Sequence, residues 1–287
     1  MTPTFYICGA PRSGTTSLHR YLCSHPEVVM TKPKETFFFQ RHDNLHKIEK
    51  AFSTEYLKHY DGEQAVGEGT TQTMYRKDAL AKVRNLSNRP KMICLLRNPI
   101  ERAWSHYLYR VQHRQRKASK SFSHVIRNEN KDDNKALSIG IVELGRYSKY
   151  VKRISSLFGK ENTHVIIHAD LFSQPEERLR TVFDFIRADP SKHFDVTGVY
   201  NASKYPAPPR LYRFLYSKWE FVKSQLNAPT LDVLKTPVSH VRHLLSYFAP
   251  SKKPEMKPAD REYLREVYEE PTRELEEWIG QDLSHWE

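Results

Sequence analysis

Cysteine is scarce in this chain, which has only Cys8, Cys23 and Cys94 among its 287 residues. Three widely separated cysteines are too few for a disulfide framework, and their spacing does not match a zinc site. Cys8 and Cys94 lie inside apolar runs, so we expect each thiol to behave as a small buried hydrophobic group. The sequence therefore predicts a fold that depends on neither disulfides nor zinc.

Long hydrophobic runs are missing as well. No stretch of about 18 apolar residues occurs, which argues against a membrane-spanning helix. The first predicted strand starts almost at Met1 and leaves no room for a signal peptide. This pattern predicts a cytoplasmic protein, and a trimmed luminal catalytic domain of an anchored protein would show the same pattern.

Acidic residues are outnumbered, since 34 Asp and Glu stand against 46 Lys and Arg, for a net charge of +12. A basic balance favours an anionic partner such as an acidic glycan or a phosphorylated small molecule, and a scattered solvated surface is the alternative. The basic segment 113–120 is either a glycan-contacting lid or a solvated loop. Because few aromatic residues interleave there and no RNA- or DNA-binding signature appears, no nucleic-acid partner is predicted.

Short apolar runs alternate with stretches of helical spacing along most of the chain. The runs that predict strands cover residues 4–10, 64–69, 91–96 and 164–169. Helical stretches follow them at 13–26, 78–86, 98–111 and 174–186. This alternation is typical of a parallel sheet covered by helices on both sides, which binds ligands beyond the carboxyl ends of its strands. The sequence therefore predicts an α/β protein of three layers.

No convincing linker divides the chain, so residues 1–287 are predicted to form one domain. The tail from residue 257 to 279 has helical spacing that Pro271 is expected to interrupt. Three less recognisable segments are predicted to be irregular insertions, at about 36–60, 110–145 and 200–250.

A glycine-bracketed turn follows the first predicted strand, in the stretch GAPRSGTTSL that begins at Gly9. Its convergent backbone N–H groups and the start of the next helix together form an anion site. The spacing from Gly9 to Gly14 fits a Walker-type phosphate loop, but Thr15 stands where that loop has its lysine. Arg12 supplies the cation instead, and its planar fork of donors suits a fixed anionic oxygen. The fold is thus expected to be P-loop-like.

A second cation is predicted at the same edge of the sheet. The strand 91–96 ends at Arg97, where a kinase of the phosphate-loop type would need an aspartate that helps to hold magnesium. Asn98 and Pro99 are helix-start signals, and Glu101 completes a capping box. Two arginines at neighbouring strand ends predict two phosphate groups with no metal between them. A small-molecule kinase that uses ATP and magnesium is the alternative.

These two stretches together resemble sulfotransferases. GAPRSGTTSL is similar to their 5′-phosphosulfate-binding loop, and LLRNPIERAWSHY, residues 95–107, resembles their 3′-phosphate-binding segment. HPEVVMTKPKETFFF, residues 25–39, is similar to the stretch after the loop in the bacterial and heparan-sulfate-type carbohydrate enzymes. The co-substrate implied is 3′-phosphoadenosine 5′-phosphosulfate (PAPS), which leaves as adenosine 3′,5′-bisphosphate, and no metal is implied.

The resemblance also implies which residues bind the two ends of PAPS. The 5′-phosphosulfate end would be held by Arg12, Ser13, Gly14, Thr15, Thr16 and Ser17. Arg97 and Ser105 would hold the 3′-phosphate. A late loop that closes over the nucleotide is matched more weakly by Asn201, Ser203 and Lys204.

Glu35 is the implied catalytic base, followed by three phenylalanines that are expected to exclude water from it. Arg12 is the second catalytic residue, because it would stabilise charge on the leaving phosphate. One departure is visible: the family often has Glu-Lys-Thr-Pro on its second motif-bearing strand, whereas this chain has Glu68 followed by Gly69 and two threonines. Lys34 or Lys32 is the candidate to replace the missing lysine.

Some sulfotransferases use a histidine base, so His106 and His168, near predicted helix and strand ends, are the alternatives to Glu35. The implied acceptor is a hydroxyl of a carbohydrate or of another metabolite, with acidic acceptors among the candidates, bound by the three irregular insertions. A basic binding module without catalysis is a further alternative, and the oligomeric state is not predicted.

Overall fold

Five parallel strands form one sheet in the order β2-β3-β1-β4-β5. The computed structural model describes residues 2–112, 120–129, 139–197 and 254–286. The strands are β1 (Phe5–Gly9), β2 (Val28–Met30), β3 (Ala65–Glu68), β4 (Lys91–Leu96) and β5 (Thr163–Ile167). The central strand β1 is in register with both neighbours, since Phe5 lies opposite Gly67 and Lys91. The four predicted strands and their parallel pairing are confirmed, and β2 is an additional edge strand.

Ten α-helices accompany the sheet in the described part of the chain. They are α1 (Thr15–Cys23), α2 (Phe38–Arg41), α3 (Leu45–Ala51), α4 (Lys77–Leu86), α5 (Pro99–Gln112), α6 (Phe122–Arg127), α7 (Tyr147–Phe158), α8 (His168–Ser173), α9 (Pro175–Phe185) and α10 (Pro258–Ile279). Short helical turns complete the path at Phe52–Tyr56, Thr73–Tyr75, Glu143–Gly145, Lys160–Asn162 and Ser284–Trp286. The predicted helices at 13–26, 78–86, 98–111 and 174–186 correspond to α1, α4, α5 and α9.

The side-chain alternation of β1 divides the core into two layers. Phe5 and Ile7 lie on one face of the sheet, in a hydrophobic cluster with residues of α1, α8 and α9. Tyr6 and Cys8 lie on the opposite face, in a cluster with residues of α2, α3, α4 and α7. Because apolar area buried from water contributes roughly 25 cal/mol per Å², both faces stabilise the sheet. The predicted three-layer arrangement is confirmed.

A third apolar cluster lies beside the sheet and joins α5, α6 and α10. Trp104 and Tyr107 of α5 stack with ring centroids 5.5 Å apart, and Phe122 of α6 packs against both rings. Leu264 and Tyr268 of α10 belong to the same cluster. The carboxyl-terminal helix is thus packed onto the helix that begins at the end of β4.

Two expectations about the secondary structure are wrong. Pro271 lies inside α10, which runs without interruption from Pro258 to Ile279, because Tyr268 and Leu275 on either side of it are buried and hold both halves of the helix. The segment 36–60 is largely helical instead of irregular, since its apolar residues are buried against the sheet and α4.

The cysteine prediction is confirmed: Cys8 and Cys94 are fully buried thiols with their Sγ atoms 3.4 Å apart, while Cys23 is exposed. Among the helices in the described ranges, none combines the length and the apolar character that crossing a bilayer requires.

Candidate active site

The carboxyl ends of all five strands carry residues that the sequence singled out. Arg12 follows β1, Glu35 follows β2, Gly69 follows β3, Arg97 follows β4, and His168 follows β5. Because the strands are parallel, these positions share one edge of the sheet, where ligands bind in open α/β folds. The fold therefore gathers residues that lie far apart in sequence.

The turn after β1 has the backbone of an anion-binding loop. Arg12 and Gly14 have left-handed φ angles of 70° and 91°, and α1 begins at Thr15 directly after them. Gly14 has no room for a side chain, since a Cβ atom there would lie 2.8 Å from the Phe172 ring and 3.3 Å from His168. The first N–H groups of α1 have no partner within the helix, so they are available to an anion.

Ser13 places a buried hydroxyl in this turn. Its side chain is fully buried, and its hydroxyl has no hydrogen-bond partner among the described residues. The Tyr147 hydroxyl lies within reach of it and donates its own proton to the carbonyl oxygen of Arg97, at 2.9 Å. A buried hydroxyl without a partner costs free energy, which a bound anionic oxygen would offset.

Arg12 connects the two predicted phosphate-binding segments. Its Nε donates to the Ser105 hydroxyl at 3.4 Å, and its guanidinium carbon lies 4.6 Å from the centre of the Tyr109 ring. Both partners are on α5, one turn apart on the same face. The stacking on Tyr109 was not predicted, although the spacing of Ser105 and Tyr109 on one helix face would have revealed it.

Arg97 stands at the junction between β4 and α5. Its Nη2 lies 3.9 Å from Glu101 Oε2, and its side chain is 26% exposed. The predicted cap is confirmed, because the Asn98 side-chain oxygen accepts hydrogen bonds from the N–H groups of Ile100 (2.9 Å) and Glu101 (3.2 Å). This cap fixes the start of α5 and so the direction in which the chain leaves β4.

Glu35 is held at the start of the next turn by two neighbours. Its carboxylate accepts hydrogen bonds from the Lys34 ammonium (2.7 Å) and from the hydroxyl and N–H of Thr71 (2.9 and 3.1 Å). Its own backbone has a left-handed φ of 61°, a strained conformation that is often kept at functional positions. The side chain is 28% exposed, so it is positioned and still reachable from solvent.

The phenylalanines after Glu35 do not surround it as expected. Phe38 and Phe39 are buried in the apolar core beneath α4, and Phe37 is half-buried. The environment of the Glu35 carboxylate is therefore set by Lys34 and Thr71, and Thr71 was not predicted.

Lys34 lies next to Gly69, the position at which the family often has a lysine. A Cβ atom on Gly69 would lie 3.6 Å from Lys34 Cγ and 3.4 Å from His19 Cδ2, so these two side chains fill the direction in which residue 69 would project. Lys32, the other candidate, is exposed. Lys34 is brought here because β2 pairs with β3 in parallel.

Glu68 is a second carboxylate at this edge, fully buried, which the motifs did not single out for a role. It accepts hydrogen bonds from the hydroxyl of Thr36 (2.9 Å) and from the N–H (3.0 Å) and hydroxyl of Thr70. Complete burial raises the pKa of Glu68, and the charge of Glu35 raises it further. Glu68 therefore ties the turn that carries Glu35 to the turn that carries Thr71. The position of Glu68 at the end of β3 is the sequence signal that could have identified it.

Burial makes the two alternative histidine bases poor proton acceptors. It lowers the pKa of His168 to about 4, helped by the charge of Arg97. Burial also holds the pKa of His106 well below its usual range, and Arg110, Arg102 and Arg12 act in the same direction. Both imidazoles are neutral at pH 7, but their low basicity makes them weak bases.

Several predicted positions cannot be placed. Asn201, Ser203 and Lys204 lie outside the described residues, as do residues 113–119 of the basic segment and the whole of 200–250. The stretch 120–129 is described and contains α6, so the insertion predicted at 110–145 is partly helical.

A parallel sheet with a glycine turn and arginines at its carboxyl edge defines the class of P-loop-like α/β enzymes that bind nucleotide phosphates. Residues 2–201 match the family model described as "Sulfotransferase domain", and the chain belongs to this family. The predicted resemblance to this family is confirmed, and the kinase alternative is not favoured.

Individual relatives are distant. The chain is 29% identical over 133 residues to the membrane-associated sulfotransferase kil1 of Dictyostelium discoideum. This alignment covers 44% of this chain and 28% of that protein. It is 26% identical over 210 residues to the bifunctional heparan sulfate N-deacetylase/N-sulfotransferase 4 of Mus musculus. This alignment covers 70% of this chain and 23% of that protein. The chain thus spans about a quarter of the length of these relatives.

A solved structure has the same fold. The sulfotransferase from Alicyclobacillus acidocaldarius superposes with a TM-score of 0.72 at 21% identity, and the match covers 100% of this chain and 99% of that one. This likeness supports the fold assignment, and the reaction is argued from the site itself.

Proposed function

We propose that this chain transfers the sulfuryl group of PAPS to a hydroxyl group of a carbohydrate or another metabolite. The observation that carries the proposal is the contact between Arg12 and Ser105, which joins the loop after β1 to the helix after β4. A nucleotide with phosphates on both its 5′ and 3′ positions needs both segments at one edge. Family membership supports the same conclusion.

The residues at this edge fit such a nucleotide. The orphaned hydroxyl of Ser13 and the left-handed turn at Gly14 suit the 5′ end, where Arg12, Thr15, Thr16 and Ser17 complete the set of donors. Arg97 and Ser105 suit the 3′-phosphate, and Ser203 and Lys204 are proposed to close over it. When bound, PAPS supplies an activated sulfuryl group on a phosphate that leaves as an anion.

Fixed donors around the 5′-phosphate lower the barrier, because negative charge grows there as the bond to sulfur breaks. Arg12 keeps its charge at any working pH, and the stacking on Tyr109 limits its movement. Arginine thus takes the electrostatic role that lysine has in a Walker-type loop. No proton transfer is required of it.

Glu35 is proposed to take the proton from the acceptor hydroxyl. Thr71 donates two hydrogen bonds that orient the carboxylate, and Lys34 pairs with the Oε1 atom. Lys34 also lies against Gly69, where other members often carry a lysine. We propose that Lys34 replaces that lysine and stabilises charge near the sulfuryl group. A positioned base of this kind typically contributes about 10²–10⁴-fold to the rate.

A carbohydrate is the favoured acceptor class. Relatives of this chain include heparan sulfate N-sulfotransferases and the carbohydrate sulfotransferase 15 of Mus musculus, which is 24% identical over 66% of this chain. The net charge of +12 would attract an acidic glycan. A cytoplasmic location stays a prediction, because one relative is described as membrane-associated.

Thermal unfolding with nucleotides tests the proposal directly. Adenosine 3′,5′-bisphosphate should raise the melting temperature in the absence of magnesium, since a ligand at 100 times its Kd adds about 2.7 kcal/mol of stability. Arg97→Ala should weaken the binding of that nucleotide and leave the binding of adenosine 5′-monophosphate nearly unaffected. A shift that requires ATP with magnesium would overturn the proposal, and equal losses for both nucleotides would refute the 3′-phosphate role of Arg97.

A further inference from the structure

Glu101 lies between two arginines that come from different parts of the chain. Its Oε1 accepts a hydrogen bond from Arg261 Nη2 at 2.7 Å, and its Oε2 lies 3.9 Å from Arg97 Nη2. The first distance is that of a charge-assisted hydrogen bond, and the second is too long for any hydrogen bond. Arg261 of α10 is therefore a close partner of Glu101, and Arg97 is only loosely paired with it.

The first turn of α10 is fixed in place, so the reach of Arg261 is fixed as well. The neighbouring Asp260 is buried, and it accepts hydrogen bonds from Ser123 (2.7 Å) and Arg127 (2.5 Å), both on α6. The indole N–H of Trp104 donates to the carbonyl oxygen of Pro254 at 2.8 Å, just before the helix. These contacts hold the start of α10 against α5 and α6.

We propose that Arg261 is a positioning residue that keeps Arg97 available for the 3′-phosphate of the nucleotide. This inference rests on the proposed function. Without Arg261, the Glu101 carboxylate would lose this charge-assisted hydrogen bond about one helical turn from Arg97. It would then close onto Arg97 or repel the phosphate, and either change lowers the affinity for a 3′-phosphorylated nucleotide.

The test compares two nucleotides that differ only in the 3′-phosphate, with affinities measured by calorimetry. Arg261→Ala should lower the affinity for adenosine 3′,5′-bisphosphate by about fivefold. This is the upper end of the effect expected from a partly exposed ion pair. The same variant should bind adenosine 5′-monophosphate within about twofold of the wild type. The double variant Arg261→Ala/Glu101→Gln should recover the bisphosphate affinity, because it removes the competing carboxylate.

A matched control lies on the same helix. Arg265 pairs with the exposed Glu262 at 2.7 Å, so Arg265→Ala removes an ion pair of α10 that does not touch α5. Arg265→Ala should leave the affinity for both nucleotides unchanged. The effect of Arg261→Ala should also shrink at high salt, since screening weakens partly exposed charges.

Each result decides between a positioning role and a structural one. If Arg261→Ala weakened both nucleotides equally, or if Glu101→Gln did not rescue it, the inference would be wrong. If Arg97→Ala weakened only the bisphosphate while Arg261→Ala had no effect, the proposed function would stand and this inference alone would fail. If Arg97→Ala did not distinguish the nucleotides, the proposed 3′-phosphate site would fail first.

Discussion

Arg12 and Ser105 are 93 residues apart in sequence, and a hydrogen bond of 3.4 Å from Arg12 Nε joins them in the fold. One residue belongs to the turn after β1 and the other to α5, which starts from the end of β4. Because β1 and β4 are adjacent parallel strands, the two proposed phosphate-binding segments meet without any further loop. The contact makes Arg12 a residue whose replacement should affect both predicted phosphate sites.

Arg12→Ala is expected to reduce kcat/KM by about 10²–10³-fold, because it removes a preorganised donor to the leaving phosphate. Arg12→Lys keeps the charge but loses the planar fork and the stacking on Tyr109, so it should recover only part of the rate. Steady-state kinetics with a sulfate acceptor checks both variants. Arg84→Ala, which removes an exposed arginine of α4, should have the activity of the wild type.

Glu35→Gln should leave the affinity for adenosine 3′,5′-bisphosphate intact and cut the rate of transfer by about 10²–10⁴-fold, as expected for loss of a general base. Thr71→Val should cost less, because it removes one of the two hydrogen bonds that Thr71 donates to the carboxylate and keeps the N–H. Single-turnover kinetics separates binding from transfer. Near-normal transfer by Glu35→Gln would assign the base elsewhere, and His168 and His106 would be tested next.

The strands with long apolar runs were predictable because each run is itself the signal. β1 and β4 were predicted in this way, together with the residues that follow them, and both phosphate-binding segments depend on these two strands. β2 escaped prediction because its three residues, Val28–Met30, are too few to show a pattern. Its pairing with β3 is a tertiary contact, so the approach of Lys34 to Gly69 was not derivable from spacing.

Tertiary packing also explains the two wrong helix expectations. Pro271 removes one N–H from α10, but the buried side chains of Tyr268 and Leu275 outweigh that loss. In the segment 36–60, helix formation follows from the burial of Phe38, Phe39 and Ile48, which depends on neighbours that are distant in sequence. Local signals alone do not contain these contributions.

Gly14→Ala is predicted to abolish nucleotide binding at concentrations that saturate the wild type. The substitution strains a φ of 91° and forces a Cβ atom to within 2.8 Å of the Phe172 ring. Gly62→Ala is the matched control, since its φ is 96° and no atom lies within 4 Å of the added Cβ. It should cost only the left-handed strain, roughly 1 kcal/mol of stability, and bind nucleotide normally. Equal binding by both variants would contradict the close approach at Gly14.

His19 is expected to make the protein sensitive to acid. Burial lowers its pKa from 6.5 to about 4, and the charges of Lys34, Arg20 and Lys32 act in the same direction. Between these two pKa values the unfolded chain binds the proton and the folded chain does not, so stability rises with pH in this window. The contribution is fully present above pH 6.5 and is lost as the pH falls towards 4.

His19→Gln should therefore make the melting temperature less dependent on pH between 6.5 and 4. At about 1.4 kcal/mol per pKa unit, the wild type loses on the order of 2–3 kcal/mol through this residue across the window, and the variant does not. Scanning calorimetry at several pH values measures the slope. His46→Gln on α3 is the matched control, because it makes the same replacement at an exposed histidine. An unchanged slope in His19→Gln would mean that His19 is protonated in the folded protein, contrary to its burial among three cations.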